Sequence, residues 1–86
     1  MKIYYSSKFA SKYRKLPQQV KILMREKQDI FFKNPFDPKL KTHKLAGKLK
    51  GFWSFSIDKK YRIRFEFLGK QTIRLHSVGT HNIYRK

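Results

Sequence analysis

The sequence contains no cysteine, only five acidic residues, and just three prolines and four glycines in 86 residues. Without cysteine it can form neither a disulfide framework nor a thiolate zinc site, and it offers no cysteine nucleophile. No apolar run approaches the roughly 18–20 residues of a membrane helix, and the first residues lack the apolar stretch of a signal peptide. We therefore expect a single cytoplasmic domain over residues 1–86, with no membrane segment.

Positive charge is the dominant feature of the composition. The chain has 22 Lys and Arg residues, a formal net charge of +17 and a pI of about 10.5. Five acids cannot neutralise these cations internally, so the surface must be strongly positive and must attract phosphate backbones in a salt-dependent manner. An acidic protein would be equally complementary to this surface. Charge alone therefore does not distinguish between RNA, DNA, the ribosome and an acidic protein as the partner.

The first part of the chain predicts a short strand followed by two helices. Residues 2–5 are β-prone, and Ser6 or Ser7 can cap the helix that follows. Pro17 separates the two helices, and Asn34-Pro35 ends the second. Apolar residues recur at helical spacing: Phe9, Tyr13 and Leu16 in the first helix, and Val20, Leu23, Met24, Ile30 and Phe31 in the second.

From Phe52 to Val78 the pattern changes to a period of two, which is typical of strands with one buried and one open face. Residues 43–49 are a further strand candidate. The sequence thus predicts an α+β fold, in which a short N-terminal strand and a two-helix hairpin pack on one face of a twisted antiparallel sheet. The expected buried face contains Trp53, Phe55, Ile57, Ile63, Phe65, Phe67, Ile73 and Leu75. The expected open, basic face contains Ser54, Ser56, Arg62, Arg64, Arg74 and His76.

The residue types disfavour metal and cofactor chemistry. The carboxylates are scattered rather than clustered as two-metal nucleases require, the three histidines lack ligand spacing, and no phosphate-binding glycine motif is present. The residue types are compatible with metal-free cleavage of RNA. In that reaction the 2′-hydroxyl of the RNA is the nucleophile, and the enzyme supplies only a base, an acid and cations. DNA lacks this hydroxyl. We expect no metal and no cofactor.

Three motifs follow one another in the second half of the chain: H-x-L-x-G-x-x-x-G-x-W-S over residues 43–54, Y-R-I-x-F over residues 61–65, and V-G-T-H over residues 78–81. With the helix pair before them, they resemble the RelE/ParE superfamily of toxin–antitoxin toxins, and most closely its RelE/YafQ-like mRNA interferases. The resemblance covers almost the whole chain. It implies a RelE-like fold and a ribosome-dependent, metal-independent endoribonuclease that cleaves mRNA through attack of the 2′-hydroxyl.

The resemblance also implies partners and site residues. The partners are an acidic cognate antitoxin and mRNA on the ribosome, with contacts to 16S rRNA. By position, Arg62 matches the phosphate-stabilising arginine and His81 the C-terminal catalytic residue. His43 matches the histidine that opens the first motif, and Tyr84 matches a terminal aromatic residue with a shift of one position. Relatives carry basic residues on the open face of the strand before the hairpin, where this chain has Ser54 and Ser56.

Further RNA-binding residues are expected from the open face and from the lysine-rich segments. They are Lys44, Lys48, Lys50, Lys59, Lys60, Arg64, Arg74 and His76. Two other functions remain open: a ParE-like inhibitor of DNA gyrase, and a catalytically weak basic module that binds RNA or an antitoxin. The two serines favour the binding module, whereas the histidine near the C-terminus favours the ribonuclease.

Overall fold

The computed structural model describes residues 1–80, and within them it contains two α-helices and a five-stranded sheet. The elements are β1 (Lys2–Tyr5), α1 (Ser7–Arg14), α2 (Gln18–Lys33), β2 (His43–Lys44), β3 (Trp53–Ser56), β4 (Arg62–Gly69) and β5 (Thr72–Gly79). The predicted α+β class is confirmed. The strand expected over residues 43–49 is only two residues long, because the backbone turns into a 3-10 segment at Gly47, whose φ is +64°.

The helix boundaries follow the capping signals in the sequence. The Ser6 hydroxyl accepts a hydrogen bond from the backbone N–H of Phe9 at 2.9 Å and thereby satisfies a free amide of the first turn of α1. Pro17, with a φ of −58°, is the N-cap residue of α2. Asn34 leaves the helix in an extended conformation, as a residue before proline prefers. No helix within residues 1–80 is long and apolar enough to cross a bilayer.

The strands lie in the order β1-β5-β4-β3-β2. The pairs from β2 to β5 are antiparallel, as predicted, whereas β1 runs parallel to β5 with Ile3 opposite Ile73. The sheet is therefore mixed. An alternating apolar pattern is the same whether a strand runs parallel or antiparallel to its neighbour, so the sequence does not indicate the orientation of β1. The chain between β1 and β5 is long enough for the crossover that a parallel pair requires.

The helices cover one face of the sheet, and the core lies between these two layers. Phe31 of α2 stacks on Phe55 of β3 with ring centres 4.7 Å apart, and it meets Phe65 of β4 edge-on at 5.0 Å. The predicted buried face is confirmed at six positions that are at most 1% exposed: Phe55, Ile57, Ile63, Phe65, Ile73 and Leu75. Trp53 and Phe67 are only partly buried, because they pack at the margin of the core.

A β-bulge interrupts the alternation of β5. Arg64 pairs with Ser77 and the next residue, Phe65, pairs with Leu75, so His76 is one extra residue in β5. Beyond it the two faces exchange: Ser77 lies opposite Arg64, and Val78 enters the core opposite Ile63. Alternation counted from the sequence is therefore valid only as far as His76.

Candidate functional site

The sheet face turned away from the helices carries the polar side chains of β3, β4 and β5, and we call it the polar face. Its members are Ser54, Ser56, Arg62, Arg64, Glu66, Arg74, His76 and Ser77. Strand pairing places Arg64 between Ser54 and Ser77. Because paired side chains have Cβ atoms about 4.5–5.5 Å apart, these groups form one contiguous cluster.

Much of the polar face is buried, so the expectation of an open face is wrong for three of its residues. Ser54 has no exposed surface, and Ser56 and Arg64 are each 8% exposed. The ring of Phe52 covers part of the Arg64 side chain, and its centre lies 5.1 Å from the guanidinium carbon. Phe52 lies just before β3, and the alternation of the strands contains no information about where its side chain packs.

Positive charge accumulates around Arg64. Burial lowers the pKa of its guanidinium below the ordinary value, although an arginine remains protonated at physiological pH. The pKa of Lys8, in the first turn of α1, is lowered by burial and then by the nearby charges of Arg64 and Lys12. The start of α1 therefore brings a second cation close to Arg64, and such a concentration of like charge attracts an anion.

Two serines differ in how their hydroxyl groups are satisfied. Ser56 accepts a hydrogen bond from Nη1 of Arg62 at 2.9 Å, which fixes the direction of that guanidinium. The Ser77 hydroxyl is fully buried and has no hydrogen-bond partner among residues 1–80. A buried hydroxyl without a partner is costly, and positions of this kind occur at functional sites.

Glu66 is the acid of the polar face, and it binds the histidine of the bulge. Nε2 of His76 lies 2.8 Å from Oε1 of Glu66, and Nη1 of Arg74 lies 3.8 Å from the same oxygen. The His76 ring also meets Phe52 edge-on, with ring centres 4.7 Å apart. Imidazole, carboxylate and guanidinium groups thus lie together beside the Arg64 cluster.

His43 and Lys44 are adjacent in β2 but belong to opposite faces of the sheet. His43 pairs with Ser54 and so extends the row through Arg64, and its Nδ1 lies 2.9 Å from the carbonyl oxygen of Lys41. Lys44 pairs with Trp53 and places its Nζ 5.5 Å from the centre of that ring, on the helix side. The structure therefore brings His43, but not Lys44, to the polar face.

The remaining lysines of the predicted RNA-binding set lie in two separate loops. Lys59 and Lys60 are exposed in the turn between β3 and β4, where the Asp58 carboxylate accepts the backbone N–H of Lys60 at 2.8 Å. Lys48 and Lys50 are exposed in the segment between β2 and β3. These loops do not belong to the paired strands of the polar face.

Two predicted catalytic residues, His81 and Tyr84, lie outside the described residues. β5 ends at Gly79, directly after the bulge that carries His76. Arg62 pairs with Gly79, so the arginine expected to stabilise the phosphate lies beside the end of β5.

Three residues of this site are not among those predicted from the sequence: Lys8, Phe52 and Ser77. Phe52 precedes its strand, and the bulge reverses the face expected for Ser77. The alternation of β4 also puts Glu66 on the polar side, but its bond to His76 depends on a register that alternation does not determine.

Apart from the polar face, a concave region lies on the helix side of the molecule. It has a volume of about 650 Å³ and a lining that includes Tyr5, Phe9, Tyr13 and Met24. Its ionisable side chains do not include a histidine. The polar face is therefore the better candidate for acid–base chemistry.

Comparison with solved structures places this architecture among known toxins. YafQ from E. coli strain BL21(DE3) matches with a TM-score of 0.80 at 17% identity, over 98% of this chain and 97% of that chain. The YoeB/ParE toxin from Agrobacterium tumefaciens matches with a TM-score of 0.80 at 19% identity, over 94% and 99%. The E. coli DinJ-YafQ toxin-antitoxin complex matches with a TM-score of 0.77 at 17% identity, over 98% and 96%.

The chain therefore has the fold of the YafQ and YoeB toxins, and the fold expected from the resemblance to the RelE/ParE superfamily is confirmed. At 17–19% identity these likenesses establish the fold, and they leave the activity to be argued from the site. Searches of the sequence against protein-family models and against curated proteins find no match.

Proposed function

We propose that this chain is the toxin of a toxin–antitoxin pair and acts as a ribosome-dependent endoribonuclease on mRNA. The observation that carries the proposal is the polar face of a toxin fold, which carries Arg62 and Arg64. On the same face the Glu66 carboxylate contacts His76 and Arg74. The net charge of +17 supports a polyanionic substrate.

The proposed reaction is attack of the 2′-hydroxyl on the adjacent phosphorus. We assign to Arg62 and Arg64 the stabilisation of the additional negative charge of the phosphorane, because arginine keeps its charge and binds phosphate oxygens through two N–H groups. His43, in the same row as Arg64, and His81 are the further candidates for proton transfer, and Tyr84 is a candidate to hold the RNA. None of these roles requires a metal ion or a cofactor.

Ser54 and Ser56 constrain this mechanism. An alkyl hydroxyl has a pKa far above 7 and cannot replace a cationic general acid. Ser56 instead binds Arg62, and so it orients the phosphate-binding guanidinium rather than transferring a proton. We assign the proton transfers to histidines and the charge stabilisation to arginines.

An acidic antitoxin is the proposed protein partner. In the E. coli DinJ-YafQ toxin-antitoxin complex, the toxin is bound to its antitoxin, and the charge of this chain favours an acidic protein in that role. We expect the antitoxin to lower the net charge of the complex and to cover the polar face. Purified chain that binds no acidic protein encoded beside it would contradict this partnership.

Growth arrest provides the first test. Induced wild-type chain should stop growth, and primer extension should find cuts in translated mRNA. Arg62→Ala and His81→Ala should each restore growth while the protein remains folded. Lys33→Ala, at the end of α2 on the helix layer, is the matched control that should remain toxic.

Two outcomes would replace the proposal with one of its alternatives. DNA breaks trapped on gyrase without cut mRNA would identify a ParE-like gyrase inhibitor. Ribosome binding without any cleaved transcript would identify a basic binding module.

A further inference from the structure

His76 and Glu66 are joined by a short side-chain hydrogen bond on the polar face. Their side chains come from neighbouring strands, and the Nε2 to Oε1 distance of 2.8 Å is that of a charge-assisted hydrogen bond. Both side chains are partly exposed, at 21% for His76 and 28% for Glu66. The pair is therefore held in place and still accessible to a ligand on this face.

His76 is the extra residue of the bulge in β5, on the face that alternation from Arg74 already gives it. As the extra residue between the Arg64–Ser77 and Phe65–Leu75 pairs, His76 has no partner of its own in the β4–β5 ladder. Its carbonyl oxygen accepts the Ser6 hydroxyl at 2.7 Å, so the start of α1 anchors the bulge. Bulges commonly redirect a side chain next to an active site.

The hydrogen bond also determines which ring nitrogen is available. The Glu66 carboxylate accepts a hydrogen bond from Nε2–H of His76, and a neutral imidazole protonated on Nε2 has its free lone pair on Nδ1. The carboxylate therefore holds His76 in the tautomer that can accept a proton at Nδ1. A carboxylate also orients the imidazole base in serine hydrolases, where it binds Nδ1–H and leaves Nε2 as the base.

Cations surround the pair on each element packed against it. Arg74 of β5 lies 3.8 Å from Glu66. Arg64 of β4 contacts the same Phe52 ring as His76, and the charge of Arg64 lowers the pKa of Lys8 of α1. A phosphodiester bound by these cations would lie next to the imidazole.

We infer that His76 is the general base of the proposed ribonuclease and that Glu66 is its positioning residue. This inference rests on the proposed function and names the proton acceptor within it. The 2′-O–H bond breaks and its proton moves to Nδ1 of His76, while the 2′-oxygen bonds to phosphorus. The bond from phosphorus to the 5′-oxygen breaks, and that oxygen takes a proton from a second group, for which His81 is the candidate. The products are a 2′,3′-cyclic phosphate and a 5′-hydroxyl.

The test is single-turnover cleavage of a 5′-labelled mRNA on programmed ribosomes, measured from pH 5 to 9 with binding and thermal stability recorded in parallel. His76→Gln keeps a side-chain N–H for Glu66 but cannot accept the proton. It should lower the rate by about 10²–10⁴-fold, the usual contribution of a general base, with unchanged binding to ribosomes. The pH–rate profile of wild-type cleavage should have an acid limb, on which the rate falls with falling pH, and His76→Gln should lack it.

Glu66→Gln should slow cleavage less than His76→Gln and should keep the acid limb. The double variant should be no slower than His76→Gln alone, because the two residues act as one unit. Lys70→Gln, an exposed change in the turn after β4, is the control with wild-type rate.

The outcomes separate the inference from the proposed function. Wild-type chain that cleaves no mRNA contradicts the proposed function, and the inference falls with it. Cleavage by His76→Gln at the wild-type rate, or with the acid limb intact, overturns the inference alone. Lower thermal stability in both variants with unchanged kinetics would show that the pair is only structural.

Discussion

The guanidinium carbon of Arg64 lies 5.1 Å from the centre of the Phe52 ring, in the middle of the row that joins His43, Ser54 and Ser77. An aromatic face attracts a cation and at the same time excludes water from it. The charge of Arg64 is therefore partly desolvated. Desolvation of a charge costs folding free energy, and residues with such a cost are commonly retained for function.

Replacing Arg64 with Met should lower activity without lowering stability. Burial lowers the pKa of the guanidinium, so its desolvation opposes folding, whereas its contact with the Phe52 ring favours folding. Arg64→Met keeps an apolar side chain under the ring and removes the charge, so the free energy of unfolding should be unchanged or slightly higher. mRNA cleavage should fall in the same variant.

Arg74→Met is the matched comparison for this stability measurement, because the Arg74 side chain is 45% exposed. It should change the free energy of unfolding by less than about 0.5 kcal/mol. Urea unfolding of both variants measures the difference. A clear loss of stability in Arg64→Met would mean that Arg64 is retained for structure rather than for function.

Ser6 links the first helix to the bulge that carries His76. Its hydroxyl accepts the N–H of Phe9 and donates to the carbonyl oxygen of His76. Ser6→Ala removes both bonds and should cost about 1–2 kcal/mol of stability, at the upper end for an N-cap. Ser7→Ala, at an exposed position one residue later, should be nearly neutral. Equal effects in thermal unfolding would contradict the dual role of Ser6.

Sequence patterning predicted the elements and the core because each depends on local signals. Ser6, Pro17 and Asn34 fixed the helix boundaries, and alternation assigned Phe55, Ile63 and Leu75 to the core. The parallel pairing of β1 was missed because no local pattern distinguishes the two strand orientations.

The site was less predictable because it depends on contacts between distant segments. Alternation placed Arg62 and Arg64 on one face, and the strand register confirms that placement. The same pattern could not reveal that Phe52 would cover Arg64 or that the bulge would turn Ser77 to the polar face. Lys44 was expected among the RNA-binding residues, but its single-residue offset from His43 places it beside Trp53 on the other side.

The exposed lysines of the β3–β4 turn should act as phosphate contacts. Lys59→Gln and Lys60→Gln should each weaken RNA binding regardless of sequence and reduce the slope of log K against log salt by roughly one. Lys33→Gln, on α2, should leave the slope unchanged. A titration at several salt concentrations measures these slopes, and equal slopes in all three variants would place the RNA elsewhere.

The chemistry at the new RNA ends tests the central claim most directly. mRNA recovered from ribosomes after incubation with the purified chain should carry a 2′,3′-cyclic phosphate on one side of each cut and a 5′-hydroxyl on the other, without added metal. A 3′-hydroxyl paired with a 5′-phosphate would show that water rather than the 2′-hydroxyl attacks the phosphorus, and would contradict the account.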